Sequence, residues 1–129
     1  LNHRIGLFDA VMLKENHILA AGSIAAAAAA ARTMHPALPL IIEVETLDEL
    51  DQALATGCDR ILVDDFSEAD LREAVSRAAG RVPLEVSGGV TGERLRAIAA
   101  TGVDYVSVGA LTKHVQALDL SLRLGDPPA

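Results

Sequence analysis

Leu40-Ile-Ile-Glu-Val-Glu45 is a continuous apolar run that finishes on carboxylates. Four other runs share its form: Ala10-Val-Met-Leu-Lys14, Arg60-Ile-Leu-Val-Asp-Asp65, Leu84-Glu-Val-Ser-Gly-Gly89 and Tyr105-Val-Ser-Val-Gly-Ala110. Apolar runs of this length, each ending on a charged, hydroxyl or glycine residue, read as parallel strands buried on both faces. A helical stretch follows each one, and in such alternations the loops at the C-terminal strand ends carry the chemistry. Lys14, Glu43, Glu45, Asp64, Ser87, Gly88 and Gly109 are therefore expected to converge on one rim.

Working outward, the first strand (9–14) leads through Glu15-Asn16-His17 into a helix expected over 18–34, which Pro36 and Pro39 end. Thr46 with Glu49 forms a candidate capping box for a helix over 47–56, and Gly57 stops it. Ser67 caps a helix over 68–79 that ends at Gly80, and Thr91 caps one over 92–101. A last helix is expected over 114–124, leaving 125–129 as a tail. Ala55-Thr-Gly-Cys-Asp59 recurs as Ala100-Thr-Gly-Val-Asp104. Each copy closes a helix and opens a strand, two βα units apart, as a repeating βα architecture requires.

Five strands in 129 residues cannot close an eight-stranded barrel, which takes about 200–250 residues. The expected fold class is therefore α/β: the C-terminal part of an incomplete parallel (β/α) barrel, with 1–124 one partial barrel domain of a larger enzyme. A net charge of −7 argues against nucleic-acid or anionic-membrane partners. No signal-peptide pattern is present, and the alanine-rich 18–31 stretch is too short to span a bilayer, so a cytoplasmic location is expected. The single Cys58 permits no internal disulfide and reads as a small buried filler.

Strand alternation puts Glu43 and Glu45 on one face and turns Asp64 and Asp65 to opposite sides. Outward residues pack beneath helices, where an unpaired carboxylate is costly, so Glu43 and Glu45 point inward with Lys14 as the offsetting cation. An interior salt-bridge layer of purely structural role is the competing reading. Ser87-Gly88-Gly89 turns into a helix N-terminus, and Val108-Gly109-Ala110 repeats the device one unit later; both suit an anion such as a phosphate. His3 and Arg4 join Lys14 and His17 as a cationic group suited to a dianionic substrate, although His17 could equally cap or pack. Lys113-His114 could reach a phosphate or simply be exposed. The Arg60 to Asp65 run lacks the Thr-Gly-rich loop of type I phosphoribosyltransferases, and that match is rejected.

Taken together, Asn2-His3-Arg4-Ile-Gly-Leu7, Asp9 to His17, Glu43-Val-Glu-Thr-Leu-Asp-Glu-Leu50, Ile61-Leu-Val-Asp64, Ser87-Gly-Gly89 and Val108-Gly-Ala-Leu-Thr112 resemble the quinolinate phosphoribosyltransferase family, in order, over 1–124. The resemblance implies a type II phosphoribosyltransferase with an N-terminal α/β sandwich and an incomplete C-terminal barrel. Such an enzyme transfers the phosphoribosyl group of phosphoribosyl pyrophosphate (PRPP), with Mg²⁺, to quinolinate and releases CO₂. It implies that His3, Arg4 and Lys14 bind the quinolinate carboxylates. Glu43 and Asp64 would face the ribose and the metal, directly or through water, with Lys14, Glu43 and Asp64 as the catalytic set. Ser87, Gly88, Gly89, Val108, Gly109 and Ala110 would hold the 5′-phosphate. It further implies a homodimer or higher homo-oligomer in which an N-terminal domain completes the site, so the chain by itself is expected to be inactive. Asp65 departs from the asparagine the family usually carries there. A phosphosugar isomerase-like barrel and a non-catalytic half-barrel module are the alternatives.

Overall fold

The computed structural model describes residues 5–122 together with 124 and 125. The element order is β1 (Val11–Leu13), α1 (Glu15–Ala21), α2 (Ile24–Met34), β2 (Leu40–Val44), α3 (Leu47–Ala55), β3 (Arg60–Asp64), α4 (Glu68–Ala78), β4 (Leu84–Ser87), α5 (Gly92–Ala99), β5 (Tyr105–Val106) and α6 (Ala110–Lys113). The five strands form one parallel sheet in the order β1-β2-β3-β4-β5. The described sheet is open, as the strand count predicts for an incomplete barrel.

The two faces differ in chemistry. Ile42, Val44, Ile61, Val63, Leu84 and Val86 are almost fully buried and share a core with Leu50, Leu71, Ala74 and Ile98 of the helices. Ile41, Glu43, Arg60, Leu62, Asp64, Glu85 and Ser87 alternate with them and so occupy the other face, the barrel interior. α2 contributes Ala27, Ala28 and Ala31 to the core; methyl-sized side chains bring its axis close to the sheet.

Both copies of the repeat perform the same task. Asp59 accepts from the Leu40 N–H at 2.8 Å, and Asp104 accepts from the Leu84 N–H at 2.8 Å. Thr56 and Thr101 each donate to the carbonyl three residues back at 2.7 Å. Each Asp thus pins the first residue of one strand to the entry of the next. Cys58 is buried, and burial pushes its thiol up, which fits the filler role.

Three expectations about elements are corrected. The helix over 18–34 is two helices. Gly22 takes φ +86°, and Ser23 starts α2 afresh by accepting from the Ala26 N–H. The helix expected over 114–124 does not form among the described residues: α6 occupies 110–113, and 114–122 carries no helix. Leu118, Leu120, Leu122 and Leu124 recur every second residue and are at least 81% exposed. A period of two scatters these leucines around a helix instead of gathering them on one face. The fifth strand spans only Tyr105–Val106, because Gly109 already lies in helical geometry as the cap of α6.

Candidate active site

Parallel register places the strand ends side by side: Glu43 opposite Leu62, Leu62 opposite Glu85, and Asp64 opposite Ser87. Lys14 follows β1 and caps α1, so its side chain leaves the sheet next to β2. Its ammonium donates to Glu43 Oε2 at 2.6 Å. Glu43 is 8% exposed whereas Lys14 is 48% exposed, so the carboxylate is set in the interior and the cation reaches it from the rim. The Glu43 hydrogen bond holds the Lys14 ammonium above the ordinary lysine range despite its partial desolvation.

Ser87 Oγ donates to Asp64 Oδ1 at 2.6 Å across β3 and β4. Asp65 does not turn to the opposite side as strand alternation predicts. The strand stops at Asp64 and Asp65 takes φ +55°, so Asp64, Asp65 and Glu45 together line an open cleft of about 320 Å³. Glu45 lies beyond the end of β2 and is exposed, its N–H donating to Glu49 at 2.8 Å. Glu49 therefore closes its half of the capping box one residue before Thr46, which itself accepts from the Glu49 N–H.

Gly88 (φ +77°) and Gly89 (φ +55°) form the turn after β4. A Cβ on Gly88 would stand 2.8 Å from Asp64 Oδ1 and 2.9 Å from the Asp65 nitrogen, so only glycine lets the loop close on β3. Neither glycine N–H has an acceptor among the described residues, and both precede α5, whose cap Thr91 accepts from the Arg94 N–H. Arg94 donates to the Gly89 carbonyl at 3.0 Å, adding a cation that sequence reasoning passed over. On the next strand end, Val108 and Gly109 lead into α6, with the Lys113 side chain folded back over Gly109. Unpaired backbone donors beside fixed cations are what an anion site requires.

Other expected residues distribute differently. His17 caps α1 by accepting from the Lys14 N–H through Nδ1 at 3.1 Å, so it serves the backbone. Lys113 ends a helix instead of beginning one. His3 and Arg4 lie outside the described residues. Sequence reasoning missed Glu85, which is 5% exposed, pairs with Arg60 at 2.9 Å and accepts from Ser107. Its signal was present: it alternates with Ser87 as Glu43 alternates with Glu45.

A parallel βα sheet whose inner face carries paired charges beneath glycine turns at the strand ends is the architecture of part of an α/β barrel. The family model described as quinolinate phosphoribosyl transferase, C-terminal domain, matches residues 1–123, and the chain belongs to this family. It is 44% identical over 127 residues to the nicotinate-nucleotide pyrophosphorylase [carboxylating] of Mycobacterium leprae, covering 96% of this chain and 45% of that protein. The probable nicotinate-nucleotide pyrophosphorylase [carboxylating] of Bacillus subtilis is 41% identical over 122 residues, covering 94% and 42%. The solved nicotinate-nucleotide pyrophosphorylase of Francisella tularensis superposes with a TM-score of 0.88 at 52% identity, covering 93% of this chain and 43% of that one. The chain thus spans less than half the length of the curated relatives it matches.

Proposed function

We propose that the protein carrying this chain is a quinolinate phosphoribosyltransferase, converting quinolinate and PRPP to nicotinate mononucleotide, pyrophosphate and CO₂ for NAD biosynthesis. The observation that carries this reading is the pairing of Lys14 with Glu43 beside the Asp64–Ser87 bond on neighbouring strand ends. The family membership and the names of the relatives support it.

The acceptor's carboxylates are held by Lys14, with His3 and Arg4 assigned to the same task by family resemblance. Breaking the bond from the anomeric carbon to pyrophosphate builds positive charge on the ribose. Glu43 and Asp64, held at fixed positions by Lys14 and Ser87, stabilise that charge without reorganising. The pyridine nitrogen then bonds to the anomeric carbon, and the carboxylate adjacent to that nitrogen leaves as CO₂, its bonding electrons remaining on the ring carbon, which takes up a proton. The Gly88 and Gly89 N–H groups, with Gly109 across from them, hold the 5′-phosphate.

The residues fit Mg²⁺ in one particular way. The described residues contain no group of three or more His, Cys, Asp or Glu able to cage a metal. Asp64 instead offers hard carboxylate oxygens at an open cleft shared with Glu45 and Asp65, with the buried Glu43 on the neighbouring strand end, which matches a Mg²⁺ that keeps several waters. When bound, the ion neutralises charge on the departing pyrophosphate.

No described helix is long and apolar enough to cross a membrane. The proposal extends to a cytoplasmic homodimer or higher homo-oligomer, with an N-terminal domain completing the site and the present chain inactive by itself. The test is PRPP- and Mg²⁺-dependent loss of quinolinate with CO₂ release by the whole protein. A folded whole protein that shows no turnover overturns the reading.

A further inference from the structure

We propose that Glu85 is a positioning residue for the phosphate loops, acting through Ser107 and anchored by Arg60. The inference rests on the reading of Ser87 to Gly89 and Gly109 as the 5′-phosphate site.

Glu85 is buried on the inward face of β4, two residues before Ser87. Its two oxygens are divided between neighbouring strands. Oε2 accepts from Arg60 Nη1 of β3 at 2.9 Å, and Oε1 accepts from the Ser107 hydroxyl just beyond β5. The Arg60 guanidinium also lies 4.4 Å from the centre of the Tyr105 ring. One carboxylate therefore ties β3, β4 and the end of β5 together beneath both glycine loops.

The tie matters because β5 is short. It pairs with β4 through Glu85–Tyr105 and Val86–Val106, with two flanking backbone bonds, from the Asp104 N–H to the Leu84 carbonyl before it and from the Ser107 N–H to the Val86 carbonyl after it. Ser107 is the last residue fixed to β4 before Val108 and Gly109. Its side-chain bond to Glu85 sets where the Gly109 loop stands relative to Gly88 and Gly89. A small displacement there separates two halves of one anion site and leaves the Lys14–Glu43 pair untouched.

A residue that only packs would weaken the whole fold, and with it donor and acceptor binding alike. A positioning residue weakens the phosphate end selectively. In the whole protein, Ser107→Ala removes the hydroxyl while Glu85 keeps Arg60, so the buried charge stays paired and the fold is preserved. The KM for PRPP is expected to rise about tenfold, the cost of one charge-assisted hydrogen bond, with the KM for quinolinate unchanged within about twofold. Binding of ribose 5-phosphate, measured directly, should weaken in parallel. Ser107→Thr, which keeps the hydroxyl, should restore PRPP affinity, and Glu85→Gln should reproduce the Ser107→Ala pattern. Wild-type turnover with both KM values moved equally, or neither moved, in Ser107→Ala overturns this inference alone. Absence of any PRPP-dependent turnover in the wild-type whole protein overturns the proposed function and this inference with it.

Discussion

Lys14 Nζ and Glu43 Oε2 stand 2.6 Å apart between the ends of β1 and β2, the carboxylate buried and the ammonium half in solvent. Removing the lysine leaves a buried carboxylate uncompensated. Removing the carboxylate leaves a cation that can turn to water. Lys14→Ala is therefore expected to destabilise the fold by about 1–3 kcal/mol and Glu43→Gln by less, measured by denaturant unfolding. Both should lower turnover of the whole protein by about 100-fold or more, since each removes fixed charge from the reacting centre. Full activity in both variants would make the pair a structural bridge.

Gly88 and Gly22 separate strain from contact. Both take positive φ, but a Cβ at Gly22 meets nothing within 4 Å, whereas one at Gly88 meets Asp64 and Asp65. Gly22→Ala should cost about 1 kcal/mol from backbone strain alone. Gly88→Ala should cost more, about 1–3 kcal/mol, and should also raise the KM for PRPP. Equal melting temperatures for the two variants would show that the loop moves aside freely.

The repeat predicts twin phenotypes. Asp59→Ala and Asp104→Ala each remove the acceptor of a strand-initiating N–H, and each should cost about 1–3 kcal/mol. Arg32 also pairs with Asp59 at 2.8 Å, but that pair is largely exposed and adds little. Hydrogen exchange should then rise selectively at Leu40 in the first variant and at Leu84 in the second.

Two shifts give the pH dependence. The Leu40 N–H, opposed by desolvation and helped by Arg32, holds Asp59 below the ordinary aspartate range. Its contribution is present above the unfolded value of about 3.9 and is lost as pH falls through the lower folded value. The Glu43 hydrogen bond raises Lys14, so that contribution is present below the unfolded value of about 10.4 and is lost as pH rises through the higher folded one. The Asp59→Ala variant should therefore lose part of the acid limb of a melting-temperature profile, and Lys14→Met part of the alkaline limb.

Asp65 occupies a left-handed backbone position that asparagine tolerates equally well. Asp65→Asn should leave stability within about 0.5 kcal/mol of wild type. By removing one negative charge from the cleft shared with Asp64 and Glu45, it should tighten PRPP binding by about two- to tenfold, read by KM at low salt. An unchanged KM would mean that the carboxylate faces solvent in the whole protein.

The strand layout was legible because buried parallel strands write themselves as apolar runs, and Thr46, Ser67 and Thr91 announce their helices by capping chemistry. Lys14, Glu43, Asp64, Ser87 and the glycine turn were legible as strand ends. Gly22-Ser23 interrupts the apolar run in the sequence but was not read as the end of a helix, since a long alanine run hides a turn that only φ reveals. Glu85 was overlooked because it sits in mid-strand, where its burial depends on Arg60 and Ser107 arriving from other strands. Asp65 was misplaced because alternation holds only while the backbone stays extended.

The turn after β4 also carries a genetic consequence. Every amino-acid replacement reachable from a glycine codon by a single base change adds a Cβ. At Gly88, where the closest approach of that atom to Asp64 would be 2.8 Å, no such step is sterically silent. The segment is thus closed to gradual drift, and any lineage that alters it must reshape the end of β3 at the same time.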